Sequence, residues 1–161
     1  YDRTGAGGTE GDALPWDDLR KGRFSEVGRA YHVTTVVAER RPVFRNLWLG
    51  RILVREMMRL QEEGAVESLA FVVMPDHLHW LIVLQSGWEL SEVMQRLKGR
   101  SARLLAQRTG YRPFWQRAFY DHAVRGDEDL RAIARYVVAN PIRSGVVERL
   151  GDYSLWDAIW V

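Results

Sequence analysis

The stretch MPDHLHWLIVL, residues 74–84, decides the fold of this chain. Pro75 and Asp76 form a dipeptide suited to a tight turn, and an apolar run of strand length follows them. A second apolar run, AVESLAFVVM at residues 65–74, stands immediately before the turn. Two apolar runs joined by a tight turn predict an antiparallel β-hairpin.

The patterns around this hairpin predict one more strand before it and three helices. A β-branched run at residues 31–38 predicts the first strand. Helical spacing of apolar residues predicts a helix that starts after Asn46 and ends near Gly64, a second at residues 90–108, and a third at residues 127–140 that Pro141 stops. Residues 113–126 are expected to be partly extended, and a tail with Tyr153, Trp156 and Trp160 to pack back over the domain. This order predicts an α+β, ferredoxin-like fold, with an antiparallel sheet and helices mainly on one face.

Length and composition predict one folded domain. With 161 residues, 47% hydrophobic and 27% charged, the chain can bury a single substantial core. Residues 1–28 are rich in glycine and acid and are expected to form a flexible arm before a domain at residues 29–161. No apolar run approaches the roughly 20 residues of a membrane-spanning helix, and the first residues lack a secretory layout, so a cytoplasmic protein is expected. The absence of cysteine excludes disulfides and thiolate metal ligands.

Positive charge is concentrated at residues 93–125, where eight basic residues face a single acid. Only two of the 23 basic residues in the chain are lysines, and arginine matches phosphate oxygens in pairs and stacks on bases. Together with the aromatic residues of this segment, the charge favours a nucleic-acid surface, although a solvated helix face has the same composition. The candidate DNA contacts on the second helix are Arg96, Lys98, Arg100 and Arg103.

Two histidines stand at the start of the second hairpin strand. Because side chains alternate along a strand, His77 and His79 share one face, whereas Leu78 and Trp80 belong to the core face. Strand rise places the two Cα atoms about 7 Å apart, which suits two imidazoles that bind one cation, with water and carboxylate or amide oxygens completing the shell. Ordinary hairpin histidines bonded to nearby carbonyls fit the same spacing.

Tyr136 and Asn140 lie one turn apart on the third predicted helix, on one shoulder of its buried stripe. A phenol is a poor nucleophile at its ordinary pKa of about 10, and a nearby cation helps by stabilising phenolate or by polarising a phosphate. The pair could therefore supply a nucleophile and a third metal ligand. A half-buried phenol followed by a helix-ending amide is the structural alternative.

Five stretches in order resemble the REP-associated tyrosine transposases, bacterial relatives of the single-tyrosine HUH transposases, in which two histidines flank a hydrophobic residue. These stretches are YHVTTVVAERRPVF, FVVMPDHLHWLIV, LKGRSAR, FWQRAFYDHAVRGDEDL and YVVANPIRSGVV, and the likeness runs from about Tyr31 to Trp156. The resemblance implies that His77 and His79 bind a divalent cation, that Tyr136 is the nucleophile, that Asn140 is the third ligand, and that Lys98, Arg117 and Arg125 help to hold DNA.

The resemblance also implies an activity, in a domain that is monomeric or homodimeric. The expected protein is a metal-dependent single-strand DNA endonuclease and strand transferase that uses Mg²⁺ or Mn²⁺ and acts on a REP-type hairpin through a 5′-phosphotyrosine intermediate. One alternative is a hydrolase whose histidines hold zinc, although a third histidine or cysteine ligand is lacking nearby. The other is a non-catalytic nucleic-acid-binding module on the same fold.

Overall fold

A computed structural model of the chain describes residues 29–125 and 129–160. Its strands form one antiparallel sheet with the order β4-β1-β3-β2-β5. They are β1 (Ala30–Val36), β2 (Val66–Val73), β3 (His77–Leu84), β4 (Tyr120–Ala123) and β5 (Trp156–Ala158). The predicted hairpin is confirmed as β2 and β3, which lie next to each other inside the sheet.

The described part of the chain has four α-helices: α1 (Leu47–Glu62), α2 (Leu90–Thr109), α3 (Leu130–Val138) and α4 (Asn140–Arg143). The predicted cap of α1 is confirmed, because the Asn46 side-chain oxygen accepts hydrogen bonds from the backbone N–H groups of Trp48 and Leu49. Gly110 ends α2 with a φ of 75°, a left-handed conformation that glycine adopts without strain.

The two long helices cover one face of the sheet. Trp80, Leu78 and Ile82 of β3 project into this main core. Their partners on the helices include Leu53, Met57, Leu60, Val93, Met94 and Leu97. Trp80 is fully buried, and its indole N–H donates to the Ser68 hydroxyl at 2.9 Å. This confirms that Leu78, Trp80 and Ile82 belong to the core face.

The short helix α3 covers part of the opposite face. Leu130, Ala134 and Val138 of α3 pack with Leu81 and Val83 of β3 in a second, smaller core. The prediction of an α+β fold with helices mainly on one face is therefore confirmed, because the two long helices α1 and α2 share a face and the shorter α3 packs on the other. The face under α3 is the one that carries His77 and His79, since side chains alternate along β3.

Two details differ from the sequence expectation. The aromatic tail was expected only to pack over the domain, whereas part of it forms β5 and joins the sheet. In β5, Ala158 pairs with Ala70 of β2 and Trp156 pairs with Val72. Pro141 follows the end of α3 as predicted, yet it stands in the first turn of α4, where its missing N–H has no intrahelical partner to lose.

Two further expectations concern the chain as a whole. The expected flexible arm at residues 1–28 lies outside the described residues. Among the residues that are described, no helix combines the length and the apolar character needed to cross a membrane.

Candidate active site

All four histidines of the chain lie on the face of the sheet that α3 partly covers. Residues directly opposite each other in neighbouring strands share a face. The strand register pairs Thr34 with His79, and it pairs His32 with both Leu81 and His122. His122 of β4, His32 of β1 and the two histidines of β3 therefore stand side by side across three adjacent strands.

The rings of His77 and His79 meet edge to face, with centroids 4.9 Å apart. Asp76 contacts the Nδ1 atom of His77 at 2.7 Å. The Nδ1 atom of His79 lies 3.0 Å from His32 Nε2 and 3.1 Å from Thr34 Oγ1. Since these contacts engage both Nδ1 atoms, Nε2 is the nitrogen that each ring can offer to a cation.

The surroundings of His79 and His32 favour the neutral form of both rings. Burial, and then the charges of His77, His32 and Arg143, lower the pKa of His79 to about 3. Burial, and then the charge of His122, also lower the pKa of His32. Neutral imidazole is the form that binds metal ions, so His79 is ready to act as a ligand at neutral pH without losing a proton.

Asp76 is ionised beside His77. Burial raises the pKa of Asp76, but hydrogen bonds and charges of His77 and Arg40 outweigh it and hold that pKa below its ordinary value. One carboxylate oxygen contacts His77 and the other accepts from Arg40 at 3.1 Å. The carboxylate can thus accept the Nδ1 proton of His77 and fix the ring with Nε2 unprotonated.

Tyr136 stands in the last turn of α3, with 58% of its surface exposed. The Arg143 guanidinium lies 3.8 Å from the centre of its ring. The charge of Arg143 also helps to lower the pKa of His79, after burial and the charges of His77 and His32. A guanidinium stacked on an aromatic ring is attractive, so Arg143 restrains the direction of the phenol.

Asn140 is half-buried and is the first residue of α4. The C-cap residue Ala139 separates it from Val138, the last residue of α3. Tyr136 and Asn140 are therefore on successive helical segments and not on one continuous helix, although Ala139 keeps right-handed helical angles between them. The Asn140 amide N–H donates to the Val137 carbonyl at 2.9 Å. This bond orients the amide and leaves its oxygen as the atom available to a ligand.

The predicted ligands, two imidazole nitrogens and the Asn140 amide oxygen, have the chemistry that suits a hard divalent cation whose shell other oxygen atoms complete. Two imidazole nitrogens and one amide oxygen are acceptable ligands for Mn²⁺, and for Mg²⁺ when waters complete an octahedron. Within residues 29–125 and 129–160, no group of three or more histidine, cysteine, aspartate or glutamate side chains is arranged to hold a metal ion. His77, His79 and Asn140 are therefore less suited to zinc, which usually takes at least three histidine, cysteine or carboxylate ligands.

Tyr120 is a second tyrosine on the histidine face. It lies on the edge strand β4, opposite Thr34, and 65% of its surface is exposed. Two strand spacings separate it from His79, which corresponds to about 10 Å between backbones. Tyr120 is therefore the rival that any test of Tyr136 as nucleophile must include.

Three of the predicted DNA contacts on α2 have partners within the protein. Glu63 receives two hydrogen bonds from Arg100, at 2.5 and 3.0 Å, and lies 3.8 Å from Arg96. The Lys98 ammonium donates to the carbonyls of Gln116, Arg117 and Ala118, at 2.8, 3.1 and 3.3 Å. An ammonium has three N–H donors, so Lys98 holds the segment that leads into β4 and has no further donor for phosphate.

Arg103 and Arg117, which were also predicted to contact DNA, line one groove. The groove has a volume of about 520 Å³ and lies between α2 and residues 111–117. Arg112 and the partly exposed Tyr111 contribute to the same groove. Arg125 is exposed and follows β4 by two residues, so the groove and Arg125 flank the two ends of this edge strand.

Sequence reasoning missed His32, Thr34 and Arg143, and it used Asp76 only as a turn residue. A cue for His32 and Thr34 was present, because they alternate along the first predicted strand as His77 and His79 do. Their approach to His79 depends on which strands pair and in which register, and the sequence pattern left both open.

Comparisons with known proteins place this chain in a family. The sequence profile described as "Transposase IS200 like" matches residues 27–140. The REP-associated tyrosine transposase of Escherichia coli (strain K12) is 27% identical over 106 residues, which cover 64% of this chain and 61% of that relative. A Haemophilus influenzae protein, provisionally assigned to the same group, is 29% identical over 103 residues. These residues cover 57% of this chain and 58% of the Haemophilus influenzae protein. The chain thus matches about three fifths of the length of these relatives.

A solved structure shares the fold. A REP-associated tyrosine transposase bound to a REP hairpin superposes with a TM-score of 0.69 at 23% identity, over 83% of this chain and 79% of that one. The profile match covers well over half of the residues, and it includes both strand histidines, Tyr136 and Asn140. This chain therefore belongs to the IS200-like transposase family and, within it, is similar to the REP-associated tyrosine transposases.

Proposed function

We propose that this chain is a metal-dependent single-strand DNA endonuclease and strand transferase that acts on a REP-type hairpin. The observation that carries the proposal is the pair of adjoining rings of His77 and His79, each with its Nδ1 atom engaged. Arg143, which stacks on the Tyr136 ring, also acts on His79 through its charge. Members of the family process DNA, which agrees with a site of this chemistry.

The proposed reaction is a transesterification at one phosphodiester. The Tyr136 oxygen attacks the phosphorus and loses its proton to solvent. The bond between phosphorus and the 3′ oxygen breaks, and this oxygen takes up a proton as a free 3′-hydroxyl. The downstream segment of the strand stays on the protein through its 5′ phosphate, as a 5′-phosphotyrosine, so one ester replaces another and no external energy source is needed.

The residues around Tyr136 have separate roles in this scheme. Arg143 holds the phenol against its guanidinium and adds a positive charge near the position of the phosphate. His77, His79 and Asn140 would hold Mg²⁺ or Mn²⁺, which would offset the charge that develops on the phosphoryl oxygens. Exposure of Tyr136 lets a single strand approach the phenol without rearrangement of the core.

A hairpin partner is supported by two observations. The transposase that shares this fold is bound to a REP hairpin. In this chain, the groove between α2 and residues 111–117 presents Arg103, Arg112 and Arg117 for the phosphates of a stem. The edge strand β4 leads from this groove to the histidine face, so a single strand next to the stem could follow it towards Tyr136.

The proposal is tested with end-labelled single-stranded hairpins whose flanking nucleotides are randomised, so that an unknown target sequence does not hide the activity. We expect a protein–DNA adduct that survives denaturation in Mg²⁺ or Mn²⁺ and is absent in EDTA. Binding of the same pool without any adduct would contradict the enzyme and favour the non-catalytic binding module. An adduct formed equally well in EDTA would contradict the metal requirement.

A further inference from the structure

His32 of β1 contacts the proposed metal ligand His79 on the side away from its metal-binding nitrogen. Its Nε2 atom lies 3.0 Å from His79 Nδ1, and the ring centroids are 5.1 Å apart with an angle of 39° between the planes. His32 is half-buried, and β1 fixes its height next to β3 through the pairing of His32 with Leu81. The contact joins residues 47 positions apart in the chain, so it depends on the sheet and not on local sequence.

The direction of this hydrogen bond decides whether His79 can bind a cation. A neutral imidazole carries one proton, on either Nδ1 or Nε2. If His79 donates from Nδ1 to His32, its Nε2 lone pair is free for a metal ion. If His32 donates instead, the proton of His79 stands on Nε2 and blocks that position. The hydroxyl of Thr34, 3.1 Å from the same Nδ1, can accept the proton in the first arrangement as well.

We infer that His32 is a positioning residue that accepts the Nδ1 proton of His79, fixes its ring and tautomer, and thereby sets the affinity of the site for a divalent cation. The inference rests on the proposed function, in which His79 is a ligand. It parallels the contact on the neighbouring ring, where the Asp76 carboxylate takes the same place beside Nδ1 of His77. The two ligands are thus oriented by different chemistry, a charged carboxylate for one and a neutral imidazole for the other.

Three variants separate positioning from general structure. His32→Phe keeps a ring of similar size and removes the acceptor, whereas His32→Gln keeps a side-chain oxygen that can accept. Thr34→Val removes the second acceptor and retains the β-branched shape that suits a strand. If His32→Phe does not fold, as judged by thermal unfolding, His32→Ala replaces it, because a smaller residue cannot clash with β3 or β4.

The first measurement is Mn²⁺ binding to each metal-free protein, followed by the electron paramagnetic resonance of free Mn²⁺. Loss of a partner that orients a metal ligand weakens metal binding by about 10- to 100-fold, so we expect a loss in this range for His32→Phe. We expect a smaller loss for His32→Gln and for Thr34→Val. The second measurement is adduct yield against Mn²⁺ concentration, where His32→Phe should need more Mn²⁺ and reach a similar plateau.

The possible failures are distinguishable. If the original protein binds Mn²⁺ and His32→Phe binds it equally well, the inference is overturned and the proposed function stands. A plateau in adduct yield that stays low at saturating Mn²⁺ would also overturn it, because a residue that acts only through the metal ligand is compensated by excess metal. If the original protein neither binds Mn²⁺ nor forms an adduct, the proposed function and this inference fall together.

Discussion

At the scale of single residues, the candidate site depends on how each histidine of β3 uses its two ring nitrogens. Asp76 and His32 engage the Nδ1 atoms, so the Nε2 atom of each ring remains available to a ligand. Asp76 has two tasks, since it also forms part of the turn that places His77 at the start of β3. The turn that allows the hairpin therefore also orients a proposed ligand.

Loss of either proposed histidine ligand should abolish cleavage. We expect His77→Ala and His79→Ala to lose adduct formation at low Mn²⁺, because a single imidazole and an amide oxygen hold the cation weakly. A high Mn²⁺ concentration should restore part of the adduct, since the nucleophile is intact. Adduct assays over a Mn²⁺ series check this, and full activity of His77→Ala in low Mn²⁺ would rule out its role as a ligand.

The low pKa of His79 predicts a pH-dependent stability in the metal-free protein. The pKa is about 3 in the folded chain against 6.5 for an ordinary histidine, so between these values the unfolded chain binds a proton that the folded chain does not. The free energy of unfolding should be highest above pH 6.5 and decrease as the pH falls towards 3, by up to about 1.4 kcal/mol per pH unit for one group. His32 contributes with the same sign.

Urea unfolding in EDTA at several pH values measures this dependence. His79→Gln removes the group that titrates and should flatten the decrease between pH 6.5 and 3. Arg131→Gln, an exposed change on α3, is a matched control that should leave the pH dependence as it was. An identical decrease in the His79→Gln protein would show that His79 is not the source.

At the scale of elements, the basic residues predicted to bind DNA have unequal roles. Glu63 neutralises part of the charge of Arg96 and Arg100, whereas Arg103 and Arg117 line the groove beside α2. Replacing Arg103 and Arg117 with glutamine should lower the slope of log affinity against log salt by about 0.7 to 0.9 for each lost phosphate contact. Replacing Arg96 and Arg100 should change this slope less.

DNA binding at several salt concentrations, with the same hairpin for both double variants, compares the two pairs directly. Equal changes in slope would mean that Glu63 does not compete with phosphate for its arginines. No change for Arg103 and Arg117 would mean that the groove is a solvated surface.

Lys98, which is half-buried, connects α2 to the segment that precedes β4. Lys98→Met keeps most of the aliphatic stem and removes the ammonium that three carbonyls accept from. Burial also lowers the pKa of Lys98, in agreement with a partly enclosed position. We expect a loss of about 1 to 3 kcal/mol in the free energy of unfolding, because carbonyls are left without a donor. Chemical denaturation measures the loss. An unchanged free energy of unfolding would contradict the structural role and leave Lys98 as a candidate DNA contact.

The elements were predictable from sequence to different degrees, for physical reasons. The hairpin, α1 and α2 were predictable because long apolar patterns and strong signals such as Asn46 determine them locally. The strand β5 was missed, because three residues are too few to show alternation and their pairing with β2 is non-local. Within the site, His77 and His79 could be placed on one face from alternation alone, whereas His32 could be assigned only after the strand register was known.

At the scale of the whole molecule, the two faces of the sheet differ in what they carry. Its α1 and α2 face holds the larger core. Its other face is partly covered by α3 and carries the histidines, and the α3 residue Tyr136 is exposed. The groove between α2 and residues 111–117 and the edge strand β4 connect the two sides. This division agrees with a protein that holds a DNA stem at one place and cuts a single strand at another.

The fold alone does not decide between an enzyme and a binding module, because both would bind a hairpin. The difference lies in one oxygen atom of Tyr136, and Tyr120 provides a matched control on the same sheet face. Tyr136→Phe keeps the ring beneath Arg143, so fold and DNA affinity should be almost unchanged. Tyr120→Phe makes the same chemical change at the rival position.

The most direct test compares covalent adduct formation by the original protein, Tyr136→Phe and Tyr120→Phe on one labelled hairpin in Mn²⁺. We expect an adduct that survives denaturation in the original protein and, in reduced or equal amount, in Tyr120→Phe. We expect no adduct and no cleaved strand in Tyr136→Phe, because no other group is placed to attack the phosphorus. A denaturation-resistant adduct formed by Tyr136→Phe would contradict the assignment of the nucleophile.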